Sequence, residues 1–128
     1  MKNEICHNNH NVACKNKLYV LIDKQLNPIY GAVQGGHAVA EWMEYNADIK
    51  FNKFASEDQA HWKWENEYLI YLSVDITKWY RMLCEHKAEY FECYMEPDLE
   101  NRMTAIAVWE GGLPEYLRYK IEREQLLC

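Results

Sequence analysis

The sequence predicts a single α/β domain, a four-stranded mixed sheet in the order βαβαββα with helices on both faces. Three observations predict it. Short apolar runs alternate with longer segments of helical period, the pattern of a sheet covered on both sides. The first run, Leu18-Tyr19-Val20-Leu21-Ile22, has no polar alternation, as in a strand buried on both faces. The last two strands are separated by too few residues for a crossover helix, so they pair antiparallel and the sheet is mixed.

Residues 1–16 are rich in Asn and His, show no period and read as a polar leader, leaving 17–128 as the domain. The first strand covers Lys17 to Asp23. Asn27-Pro28 then offers a cap followed by proline at the first helical position, where a missing N–H costs nothing, and the helix runs to about Tyr45. Ala32, Gly36, Val39 and Met43 share one face and are expected to lie on the sheet, with Gly36 permitting close approach. Tyr30, Gln34, His37 and Glu41 form a neighbouring polar stripe, which the buried face does not explain.

Residues 46–66 carry no assignable period. Glu67 to Val74 reads as the second strand, and Asp75 or Thr77 opens a helix to about Lys87 with Ile76, Trp79, Tyr80 and Leu83 on its apolar stripe. Tyr90 to Met95 alternates as a strand covered on one side, and Pro97 stops it. Thr104 to Trp109 is the fourth strand. Gly111-Gly112 breaks it, and Pro114 to Leu127 reads as an amphipathic closing helix with Tyr116, Leu117, Ile121 and Leu126 inward.

A chain of 128 residues, 49% hydrophobic and 27% charged, suits one folded domain with its own core. Its apolar runs are far shorter than the roughly 20 residues that span a bilayer, so no membrane segment is expected. The first residues continue into Asn and His rather than an apolar run, which points away from a secretory signal and towards the cytoplasm. Five widely spaced cysteines (Cys6, Cys14, Cys84, Cys93, Cys128) suit reduced thiols better than a disulfide framework. A net charge of −6 disfavours indiscriminate binding to polyanions, so a nucleic-acid partner requires a local patch. The first 24 residues hold four basic side chains (Lys2, Lys15, Lys17, Lys24) against two acidic ones (Glu4, Asp23).

The segment Leu18 to Ile22 followed by Asn27-Pro28-Ile29-Tyr30-Gly31-Ala32-Val33-Gln34-Gly35-Gly36-His37-Ala38 resembles the strand–turn–helix that opens type-II peptidyl-tRNA hydrolases. In that family a Gln lies three residues before a His followed by Ala. The run Glu96-Pro97-Asp98-Leu99-Glu100-Asn101-Arg102-Met103-Thr104-Ala105-Ile106-Ala107 resembles the second signature, an acidic loop residue before a Thr-x-Ile-Ala strand. The resemblance covers residues 17–125 and implies a hydrolase, without metal or cofactor, of the ester joining a peptide to the terminal ribose of tRNA. Peptidyl-tRNA or a related aminoacylated nucleic acid is the implied partner. His37, Gln34 and Thr104 match the motif residues, and Asp98 matches the loop acid, with Glu96 and Glu100 as alternatives. Many members have a lysine seven residues before the histidine, where this chain has Tyr30.

The same residues make chemical sense on their own terms. Ester hydrolysis needs a base for water and donors for the carbonyl oxygen as it gains charge. Histidine exchanges protons near neutral pH, which suits His37 as base, and Asp98 is placed to hold its tautomer. Gln34 and Thr104 offer donors to the carbonyl or the water. Tyr30 offers a phenolic donor, or a surface for the terminal adenine worth about 1–3 kcal/mol. Glu41 completes the stripe as a substrate contact, or pairs with His37 on a wet surface for about a few tenths of a kcal/mol.

Two rival readings stand beside this one. A catalytically silent module of the same fold would bind a tRNA acceptor end or a protein. An interaction protein would hold zinc through Cys6, His7, His10 and Cys14, residue types that tetrahedral zinc accepts. Trp62-Lys63-Trp64 reads as a base-stacking surface or as packing over the sheet. Arg118, Lys120 and Arg123 read as phosphate contacts or as a solvated face. Trp109 and the closing helix are the candidate homodimer surface.

Overall fold

The computed structural model describes residues 17–46 and 68–127. Over these residues the chain is α/β, with one mixed sheet of five strands and three α-helices. Lys17–Asp23 forms β1, Pro28–Tyr45 forms α1, Tyr68–Val74 forms β2 and Ile76–Glu85 forms α2. Phe91–Glu96 forms β3, Arg102–Trp109 forms β4, Glu115–Ile121 forms α3 and Gln125–Leu126 forms β5. The strand order is β3-β4-β1-β2-β5, with β1 and β2 parallel and the other pairings antiparallel. The set Cys6, His7, His10 and Cys14 and the run Trp62-Lys63-Trp64 lie outside the described residues. No helix among the described residues is long and apolar enough to cross a membrane.

Local chemistry starts each of the two long helices. The Asn27 side chain accepts from the Tyr30 N–H at 2.8 Å with Pro28 next in line, and Asp75 accepts from the Lys78 N–H at 3.2 Å. Both caps satisfy donors that the first helical turn leaves without partners. Central β1 alternates between two cores. Leu18, Val20 and Ile22 pack under α1 with Ala105, Ala107 and Trp109, whereas Tyr19 and Leu21 face α2 and α3 with Ile106, Val108, Trp79, Leu83 and Leu117.

The buried stripe of α1 differs from the expected one. Ala32 and Gly36 are exposed, and the face against the sheet is Gly31, Gln34, Gly35, Ala38, Val39 and Trp42. The cause is close approach at two other glycines. A Cβ on Gly31 would stand 2.5 Å from Ile22 Cγ2, and one on Gly35 would stand 2.7 Å from both Ile22 Cδ1 and Tyr71 Cε2. Around Gly36 the space is open. Seating the helix on Gly31 and Gly35 turns Gln34 inward.

The chain end differs as well. Instead of one helix to Leu127, α3 stops at Ile121 and the chain turns to pair Leu126 and Gln125 with Leu72 and Ser73 of β2. Leu127 N–H adds a bond of 3.0 Å to the Tyr71 carbonyl. This pairing covers the outer edge of β2, whose backbone groups would otherwise be left open. Leu117 and Ile121 are buried as expected, while Tyr116 and Leu126 are exposed, as is Tyr80 on α2.

Candidate functional site

The seam between α1 and β3 carries the candidate chemistry, and an irregularity in the sheet shapes it. Tyr94 of β3 pairs with Ala105, but Met95 pairs with Met103, so Thr104 is an extra residue in β4. A bulge of this kind re-aims a side chain. Strict alternation would send Thr104 with Ile106 and Val108 towards α2 and α3. The bulge turns it towards α1, and Met103 takes its place against the opposite core.

At that point Gln34, 1% exposed, spans the seam. Its Nε2 donates to Glu96 Oε2 at 2.8 Å, and its Oε1 accepts from the Thr104 hydroxyl at 2.7 Å. A carboxylate only accepts, so the partner on one side dictates which way the amide points, and Thr104 must be the donor on the other. Glu96 Oε1 accepts from the Asp98 backbone N–H at 3.1 Å, capping the turn Pro97–Leu99. The Asp98 N–H, then the Gln34 amide, then the charge of His37 hold the Glu96 carboxyl below the usual carboxylate range despite partial desolvation.

His37 lies one turn beyond Gln34 and is exposed, its ring stacked on Tyr94 with centroids 4.8 Å apart and planes at 19°. Tyr30, one turn before Gln34, is half-buried, and burial followed by the Glu96 and Asp98 charges raises the titration of its phenol, against an opposing effect of Arg102. Burial and the same two carboxylates, with Glu41, raise that of Tyr94. Arg102 itself is committed, its Nη2 bonding Asp23 Oδ2 and, at 3.1 Å, Gln25 Oε1. At the far end of the seam, burial and then Glu41 raise the Glu92 carboxyl, partly offset by Asn46.

The structure thus joins Gln34 and Thr104 but alters the expected division of labour. Thr104 is 0% exposed and both its hydroxyl and the Gln34 amide are engaged inside the protein, so neither presents a donor at the surface. Among the three candidate acids, Glu96 is the one seated in the network. Asp98 and Glu100 are exposed on the turn. The pleat decides this, since Glu96 follows Tyr94 and Glu92 on the α1 side of β3. Sequence reading missed Tyr94 as a neighbour of His37, although its parity with Glu92 and Glu96 carried the signal.

Two cavities lie away from His37. One of about 220 Å³ is lined by Asp23, Lys24, Gln25, Asp75, Thr77 and Arg102 among others, and one of about 670 Å³ by Glu110, Glu115, Tyr116, Arg118, Tyr119 and Glu122. Arg123 and Lys120, candidate phosphate contacts, lie over the rings of Tyr119 and Tyr116 at 3.8 and 5.4 Å. Trp109 is fully buried under α1 and offers no dimer surface, because the space between sheet and helix is where its ring fits. Among the described residues no three His, Cys, Asp or Glu side chains are grouped to hold a metal ion. Comparison of the sequence with models of known protein families and with curated proteins finds no match.

Proposed function

We propose that this protein hydrolyses the ester between an acyl group and the terminal ribose of tRNA, in the manner of type-II peptidyl-tRNA hydrolases. The observation that carries the reading is the convergence of Gln34, Glu96 and Thr104, from one helix and two strands, in a buried network beneath the exposed imidazole of His37. In this reading His37 removes a proton from the attacking water. Glu96, which stays ionised, stabilises the imidazolium that forms, while Gln34 and Thr104 act as positioning residues that hold Glu96. The Tyr30 phenol keeps its proton at neutral pH and donates it in a hydrogen bond to the carbonyl oxygen as charge develops.

Release of tRNA from labelled peptidyl-tRNA tests this directly. His37→Ala should lower the rate by about 10²-fold or more, the usual contribution of a positioned base, and an unchanged rate removes His37 from the reaction. Tyr30→Lys should tighten tRNA binding and steepen its salt dependence by about one phosphate contact. No change in either would place Tyr30 away from the substrate.

One observation favours a second reading, a binding module of the same fold. His37 is exposed, and among the described residues no hydrogen bond fixes its ring. Binding of tRNA without release of the acyl group would select that reading.

A further inference from the structure

The outward face of α1 is apolar. Between Asn27 and Glu41 the helix carries no Asp, Glu, Lys or Arg. Ile29 is 82% exposed and Val33 53%, with Ala32, Gly36 and Ala40 exposed beside them. A helix that touches only the sheet beneath it carries charged and polar residues on its opposite side, so this face lacks the composition of one that meets water alone.

Gly36 stands at the centre of the face, and nothing within its own protomer calls for a glycine there. A Cβ on Gly36 would meet no atom within 4 Å, whereas one on Gly31 or Gly35 would collide with the sheet. A glycine inside a helix weakens it relative to alanine, and close approach of another backbone is the usual reason for one. Either side of Gly36 the residues fall in matched pairs. Ala32 and Ala40, and Ile29 and Met43, lie at equal steps before and after it and within about 40° of its direction round the helix. Two such helices crossing antiparallel at Gly36 set Ala32 of one copy against Ala40 of the other, and Ile29 against Met43.

Charge fits the same arrangement. Glu44 lies in the last turn of α1, at the negative end of the helix dipole, while the first turn holds no acid. Antiparallel pairing brings Glu44 of one copy level with the first turn of the other, about 12 Å from the crossing on each helix. Exposed Lys24 lies in the turn leading into that end. The face itself holds no Lys or Arg to draw a phosphate backbone or an anionic bilayer.

We propose that the outward face of α1 binds a second copy of this chain, the two helices crossing antiparallel about a two-fold axis at Gly36. His37 lies about 100° round the helix from Gly36, with its ring on Tyr94, so the pair leaves the imidazole to one side. The proposal goes beyond the hydrolase reading and does not depend on it.

Sedimentation of the full chain over rising concentration tests for the pair, and thiol cross-linking under mild oxidation tests its geometry. The parent should pass from monomer to dimer at or below about 1 mM. Gly36→Leu enters open space on the protomer, so the chain should fold and its dissociation constant rise about tenfold or more. Glu44→Lys should raise it severalfold, by setting a cation against a positive helix end. Gly36→Ala favours the helix in the separated protomer and should weaken the pair. Against the background of the parent's own cysteines, Ala32→Cys and Ala40→Cys chains should cross-link readily when mixed and poorly when alone, because only antiparallel pairing brings the two positions within disulfide reach. A monomer at every concentration, which would leave the face to a different partner, would overturn the proposal. So would a dimer undisturbed by Gly36→Leu or Glu44→Lys, or Ala32→Cys chains that cross-link among themselves.

Discussion

The two faces of the sheet are built on opposite terms. Beneath α2 and α3 the interior is mainly apolar, with Tyr19, Leu21, Leu72, Ile106, Val108, Leu83, Leu117 and Ile121 in one cluster with Trp79. Beneath α1 the apolar packing of Val20, Ile22, Ala38 and Trp42 gives way at one end to Gln34, Glu96 and Thr104, all buried. Burying polar groups costs free energy unless each is paired. The α1 face therefore depends on the pairing of Gln34, Glu96 and Thr104, and it is also the face that holds His37 at the surface. Apolar packing supports both sides of the sheet, and the proposed chemistry lies on the side where a polar network interrupts it.

Substitutions can break that contrast in order of expected size. Leu83→Ala, on the hydrocarbon face, should lower unfolding free energy by about 2–5 kcal/mol in denaturant titrations, with the folded fraction keeping its activity. Gln34→Leu should cost about 2 kcal/mol through the Thr104 hydroxyl it leaves unpaired, and should disturb the site at the same time. It also carries a pH signature. The Glu96 carboxyl is depressed in the folded chain, so its contribution is present above the unfolded pKa and is lost as pH falls through the folded one. That acid dependence should shrink in Gln34→Leu when unfolding is followed across the acid range.

Two adjacent glycines sharpen the comparison within α1. Gly35→Ala drives a methyl group into Ile22, Tyr71 and Val20 and should cost about 1–2 kcal/mol. Gly36→Ala meets open space and should gain about 0.5–1 kcal/mol from helix propensity. Equal effects at the two positions would contradict the seating of α1. Smallest of all, Glu41→Gln should raise stability near neutral pH by roughly a few tenths of a kcal/mol, as exposed charge pairs do. Glu92 is raised in the folded chain, so its contribution is present at low pH and lost as pH rises through its folded pKa. The gain from Glu41→Gln should accordingly fade in acid.

Features with local causes were legible in the sequence. Asn27-Pro28 marked the start of α1 because capping depends on residues a few positions apart, and the unbroken apolar run of β1 declared a strand covered on both faces. Features decided by tertiary contact were not. Gly35 and Gly36 look alike in sequence, and which one meets the sheet depends on the helix's rotation, the same rotation that buries Gln34. The bulge at Thr104 leaves no mark on a run that alternates normally. Two residues of β5 are too few to show a period, and they form a strand because β2 has an edge to cover. Among Glu96, Asp98 and Glu100 the choice of buried acid was set by pleat and turn rather than by residue type.

The division between the two faces is tested most directly by measuring unfolding free energy and tRNA release side by side in His37→Ala. His37 is exposed and its ring stacks on Tyr94, so stability should stay within about 0.5 kcal/mol of the parent while the rate falls by about 10²-fold or more. An undiminished rate, or a rate that falls only in proportion to lost folding, would contradict the account.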